Sequence, residues 1–113
     1  MELTAVKELK SALDKKFAHN IVVLDLGGVT PIADYFVIAT GASAPQIAAL
    51  TDTAEECLKQ HGMTLKHTEG LRAGKWVLLD FGAIIVHIFD KESREYYDLE
   101  RIWRDAKIVD GGD

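Results

Sequence analysis

At 113 residues, 48% of them hydrophobic, and with a net charge of −5, the chain has the size and composition of one ordinary globular domain. An acidic domain without a basic run lacks the lysines and arginines that neutralise phosphates. This excludes direct nucleic-acid binding as its main role and suits it to a basic protein partner. A lone cysteine, Cys57, excludes an internal disulfide and a multi-cysteine zinc site, as expected of a protein in the reducing cytoplasm.

Leu3, Val6, Leu9, Leu13 and Phe17 recur at three- and four-residue spacing and predict a helix that ends at His19-Asn20. Its charged residues interrupt any apolar run, so it is not a secretory signal. No segment approaches the roughly 18 apolar residues of a membrane span. Ile21 to Leu26 is rich in β-branched residues and predicts a strand. Gly27-Gly28 and Pro31 mark a turn and a short connection to a second strand, Tyr35 to Thr40. Ser43 then opens a helix: it can cap the first turn, Gln46 can reach back to complete a capping box, and Pro45 is tolerated there. Ile47, Leu50, Ala54, Cys57 and Leu58 form the buried stripe of that helix, and Gly62 closes it. Thr64 to Thr68 is a weaker strand. Two apolar runs, Trp76 to Phe81 and Ala83 to Phe89, form a hairpin around Gly82. The segment Asp90 to Trp103 is helical and breaks near Asp98, which can cap a second short helix. Two helices set between strand pairs predict an α/β layered fold with a mixed five-stranded sheet and packed helices. Residues 1–108 are expected to form a single domain, and residues 109–113 a frayed C-terminal tail.

If Phe81-Gly82 is a two-residue turn, Asp80 faces Ala83, Leu78 faces Ile85 and Trp76 faces His87. Alternation then puts Val77, Leu79, Phe81, Ile84, Val86 and Ile88 on one face, which is wholly apolar. Trp76, Leu78, Asp80, Ile85, His87 and Phe89 share the other, where an acid and an imidazole interrupt the apolar residues. A face of that kind is either half covered by another element or kept for a partner.

Three blocks of sequence carry a family resemblance. They are Trp76-Val77-Leu78-Leu79-Asp80-Phe81-Gly82, then Val86-His87-Ile88-Phe89, then Arg94-Glu95-Tyr96-Tyr97-Asp98-Leu99-Glu100 with Trp103. Asp25-Leu26, Ile32 to Gly41 and Glu69-Gly70 fit as well. Together, over about residues 5–105, they resemble the ribosomal silencing factor family, also called the Iojap family. The resemblance implies a translational repressor that binds the large ribosomal subunit through ribosomal protein fourteen and sterically blocks subunit joining. It also implies a homodimer when free, and a nucleotidyltransferase-like topology that lacks the catalytic acids. One departure is visible: family members usually carry an acid after the hairpin glycine, where Ala83 stands here.

Signals of catalysis are weak beside this. Asp80-Phe81-Gly82 copies a kinase tripeptide without any of its context and is better read as a turn. Gly41-Ala42-Ser43 lies between a strand and a helix, as in nucleotidyltransferases. Their chemistry needs two carboxylates two apart on the next strand to hold metal, and the strand Trp76 to Phe81 offers only Asp80. No catalytic residue, metal site or cofactor is therefore expected; a degenerate nucleotidyltransferase or nucleotide-binding protein is the alternative. His19, His61, His67 and His87 lack ligand spacing, and Cys57 reads as a small hydrophobe. An Asp80–His87 hydrogen bond is ruled out by their separation along the hairpin.

What remains is a binding surface. Tyr96 and Tyr97 lie about 100° apart on a helix and cannot both be buried in the same way. Aromatics rimmed by Glu95, Asp98 and Glu100 match an apolar anchor inside a polar rim. The candidate partner-binding residues are Trp76, Leu78, Asp80, His87, Phe89, Tyr96, Tyr97, Asp98, Glu100 and Trp103.

Overall fold

The computed structural model of the protein describes residues 2–109. In chain order the elements are α1 (Glu2–Lys15), β1 (His19–Asp25), β2 (Tyr35–Thr40), α2 (Ala44–Gln60), β3 (His67–Glu69), β4 (Trp76–Asp80), β5 (Ile84–Phe89), α3 (Lys91–Tyr97), α4 (Leu99–Ile102) and β6 (Lys107–Ile108). The strands form one sheet in the order β3-β4-β5-β2-β1-β6. β2 and β5 run parallel, and the other neighbours are antiparallel.

The sheet is mixed, as expected, but among the described residues it has six strands and not five. The extra strand is a two-residue piece that pairs with Leu24 and Asp25 at the edge. So short a strand leaves no alternation to recognise. It also carries Val109 out of the tail expected to fray, since the Val109 N–H donates to the Val23 carbonyl at 2.8 Å. The rest of that tail lies outside the described residues.

α1 and α2 cover one face of the sheet. Val6, Leu9 and Leu13 from α1, with Ile47, Leu50, Ala54 and Leu58 from α2, pack against Val77, Leu79, Phe81, Ile84, Val86 and Ile88. The wholly apolar face of the hairpin is thus the main core. Phe17 is not part of it. The helix ends at Lys15, the chain turns through a φ of 65° at Phe17, and the ring is left 78% exposed. β1 then starts two residues earlier than predicted, with Asn20 at φ 49° and a break in register between His19 and Val22. Cys57 stands at the margin of the α2 stripe, half-buried. Burial, with the nearby Glu8 carboxylate, raises its thiol pKa, which disfavours the reactive thiolate.

The start of α2 is capped as predicted on one side only. Ser43 Oγ accepts from the Gln46 N–H, while Gln46 Oε1 takes the N–H of Ala42, one residue before the cap. Gln46 Nε2 also donates to the carbonyls of Lys16 and Phe17, which ties the two helices together. At the other end the N–H of Met63 bonds to Leu58 O and that of Gly62 to Lys59 O, a Schellman closure with Gly62 at φ 79°. A Cβ at Gly62 meets nothing within 4 Å, so Gly62→Ala should cost only the left-handed backbone penalty, about 1 kcal/mol. Thermal unfolding should show a midpoint lower by roughly 4 °C; no change would mean that the closure is not held.

The hairpin keeps its predicted faces but not its register. Asp80 pairs with Ile85, Leu78 with His87 and Trp76 with Phe89, so the turn residues are Gly82-Ala83. Gly82 has φ 88°, the sign that a type II′ turn requires at its first central position. Its N–H is taken by Asp80 Oδ1 at 2.7 Å. Because the partners shift by two residues, side-chain parity survives the slip.

Candidate partner-binding surface

The second face of the sheet is half covered. Leu24, Leu26, Ala33, Phe36, Ile38, Ile85, Phe89 and Leu99 are buried there, with Trp76, Leu78 and Trp103 packed at their margin. The cover comes from α3, α4 and the segment after β1. Over β4 it runs out, and Trp76, Leu78 and Asp80 are left half-buried.

α3 begins at Asp90, whose Oδ1 accepts from the Ser93 N–H at 2.7 Å. The break falls at Asp98, as predicted, with φ 47° and its N–H on Arg94 O. The Asp98 side chain makes no capping bond to α4. Instead the two short helices are clamped by Arg94. Its Nε and Nη2 donate to the two oxygens of Glu100, at 3.3 and 2.8 Å, and its Nη1 donates to Thr40 Oγ1 at 2.8 Å. Burial alone would raise the Glu100 carboxyl, but the hydrogen bonds and charge of Arg94 outweigh it and hold the carboxyl below its ordinary value. Glu100, expected in the rim, is therefore turned inward. In the sequence Arg94 is indistinguishable from its charged neighbours; its place one helical turn before the helix break was the available signal.

The clamp presents a ladder of rings. Trp76 stacks on Phe89 at 5.0 Å, Tyr97 lies on Trp76 at 4.5 Å, and Tyr96 meets Tyr97 edge-on at 5.0 Å. Tyr96 is 80% exposed and Tyr97 43% exposed. Beneath them Trp76 Nε1 donates to His87 Nδ1 at 3.0 Å. An indole nitrogen can only donate, so His87 is neutral and carries its proton on Nε2. That Nε2 is buried and has no hydrogen-bond partner among the described residues. Burial lowers the His87 pKa from 6.5 to about 4.

Of the ten candidate residues, Tyr96, Tyr97 and Trp76 form one partly exposed ring cluster between α3 and the start of β4, with Asp98 beside the tyrosines and Leu78 half-buried on the same sheet face as Trp76. Phe89 and His87 are buried and can only back that surface. Trp103 packs edge-on against Phe36 at 5.6 Å. Asp80 serves the hairpin turn. Sequence reasoning missed the exposed Ile102, and also Arg101 and Arg104. With Asp98 and Asp105 these line a shallow groove beside the tyrosines, so the rim carries both signs of charge.

Comparison with known proteins agrees with the three sequence blocks. The family model described as "Ribosomal silencing factor during starvation" matches residues 2–113. The chain belongs to the ribosomal silencing factor family. Members are non-enzymatic regulators of translation that associate with ribosomes, and this chain is one of them. The silencing factor of Bacillus subtilis is 38% identical over 93% of this chain and 89% of that protein. A crystal structure from Chromobacterium violaceum superposes with a TM-score of 0.84 at 33% identity, over 92% of this chain and 88% of that one. A mouse protein named "Mitochondrial assembly of ribosomal large subunit protein 1" is 32% identical over 84% of this chain and 43% of its own length.

Proposed function

We propose that this family member docks on the large ribosomal subunit through ribosomal protein fourteen and sterically blocks joining of the small subunit. The observation that carries the reading is the pair Tyr96 and Tyr97, held outward on a clamped, broken helix with Trp76 behind them. Exposed, pre-ordered aromatics on a soluble domain are the anatomy of a binding hot spot. A basic partner suits the net charge of −5. The mouse relative's name, which ties it to the large subunit, supports that choice of subunit. A body with extents of 34 × 31 × 29 Å is large enough to hold two surfaces apart. No cofactor or turnover is needed, and the site of action is the cytoplasm. The test sediments the protein with purified large subunits and then adds small subunits. Co-sedimentation with loss of joined ribosomes supports the reading, and joining at the normal rate on loaded large subunits would end it.

The half-open end of the second face should also bring two free copies together. Light scattering at micromolar concentration is expected to give twice the chain mass. A strictly monomeric mass would count against the homodimer.

A further inference from the structure

β2 and β5 are parallel neighbours, and the helices that follow them leave to opposite faces of the sheet. α2 packs on the face of Val77 and Val86, whereas Leu99, just beyond α3, packs on the face of Phe36 and Phe89. Where the chain divides in this way the carboxyl ends of two parallel strands part, and the crevice between them is where open α/β sheets bind small ligands. Here the crevice has a volume of about 430 Å³. Thr40 at the end of β2 lines it with Gly41 and Ala42, Lys91, Arg94 and Glu95 line it after β5, and His19 and Asn20 at the start of β1 close its side.

Arg94 gives the crevice its chemistry. The residue is 8% exposed, and its guanidinium is fixed from two sides by Glu100 and Thr40. A guanidinium has five N–H donors. Three are used in those bonds, which leaves one on each terminal nitrogen of a group that lines the cavity. Lys91, at the rim, makes no ion pair among the described residues. The remaining donors of a fixed guanidinium, with the ammonium of a lysine on the same cavity, are a donor set for a tetrahedral oxyanion, which can offer separate oxygens to each. Glu100 offsets much of the Arg94 charge and Glu95 opposes Lys91, so the affinity should be modest.

We propose that this crevice binds the phosphate group of a small molecule, with Arg94 and Lys91 as its donors. Metal-assisted chemistry on that phosphate is not part of the assignment. The strand carboxylate Asp80 pairs with Ile85 at the start of β5, at the far end of the strand from the crevice, and its Oδ1 is occupied by Gly82. Free phosphate and a phosphorylated metabolite share this chemistry, and the experiment separates them.

The whole protein, labelled with nitrogen-15, is titrated with sodium phosphate, with glycerol phosphate and with sodium acetate at constant ionic strength. Saturable shifts are expected at the amides of Thr40, Gly41 and Ala42 and at Arg94 Nε, with a Kd on the order of 1 mM for phosphate. Tighter binding of glycerol phosphate would point to a metabolite, and equal binding to the free ion. Arg94 is left intact because it also clamps Glu100. The variants are the exposed Lys91→Glu, expected to weaken binding at least tenfold, and Glu95→Gln, expected to strengthen it a few-fold, both as charge effects at close range. Three results would overturn the proposal: shifts that stay linear up to roughly 20 mM phosphate, far above the expected Kd; saturable shifts that Lys91→Glu leaves unchanged; or acetate binding as well as phosphate.

Discussion

Tyr97→Ala is expected to weaken binding to the large ribosomal subunit by about 2 kcal/mol, roughly thirtyfold in Kd. Tyr97 is the residue of the ring ladder that is both exposed and supported. The ring lies on Trp76 and, at 6.3 Å, near Phe89, meets Tyr96 edge-on, and is still 43% exposed. A ring so placed loses little freedom when a partner covers it, and that pre-ordering distinguishes an anchor from a loose surface side chain. Tyr96 is more exposed but touches only Tyr97 among the aromatic rings, so Tyr96→Ala should cost less. Part of the Tyr97→Ala effect will be lost packing within the protein, and unfolding curves must be recorded beside the binding data. Tyr97→Phe keeps the stacked ring and should keep most of the affinity. Sedimentation of each folded variant with large subunits decides the matter. If both alanine variants bind like the parent, the grip lies on another surface.

The faces of the sheet were legible in the sequence because side-chain parity along a strand needs only alternation. The apolar set Val77, Leu79, Phe81, Ile84, Val86 and Ile88 was read correctly even though the hairpin register was two residues out. Register depends on which two residues occupy the turn, and Phe81-Gly82 and Gly82-Ala83 both put a glycine there. Phe17 fitted the helical period and still left the helix, because periodicity does not report where a chain stops. The edge strand β6 was too short to show any pattern. At the candidate surface the aromatic members were legible as residue types, but their roles were set by tertiary contacts. Glu100 and Asp98 look alike in sequence, yet only the Glu100 carboxylate meets the Arg94 guanidinium; Asp98, in the left-handed turn, meets Arg94 through its backbone N–H. The Arg94–Thr40 bond joins residues 54 apart, beyond the reach of any local pattern.

Acid should loosen the support of this surface through His87, and the sign follows from its pKa. The ring is buried among Phe36, Trp76 and Phe89. Its Nδ1 is committed to an indole that can only donate, and its Nε2 has no hydrogen-bond partner among the described residues. A second proton would disrupt the Trp76 bond and place an unpaired charge in an apolar cluster. Burial accordingly lowers the pKa from 6.5 to about 4. Between those values the unfolded chain binds a proton that the folded protein excludes. Stability is therefore complete above pH 6.5, falls as the pH drops through the window, and has lost about 3 kcal/mol by its lower end. Glu100 is charged in both the folded and the unfolded chain over most of that range; because Arg94 holds its folded pKa below the ordinary value, its own loss of stability sets in only as the pH nears the low end of the window, and it is common to parent and variant. The measurement is urea unfolding at neutral pH and at several points down to pH 4, for the parent and for His87→Leu. The variant begins from a lower stability because the Trp76 N–H loses its acceptor, but its decline with acid should be shallower by most of those 3 kcal/mol. The His61–Glu8 and His67–Glu69 contacts are the same in both proteins and drop out of the comparison. Parallel pH profiles would show that His87 does not set the acid limit.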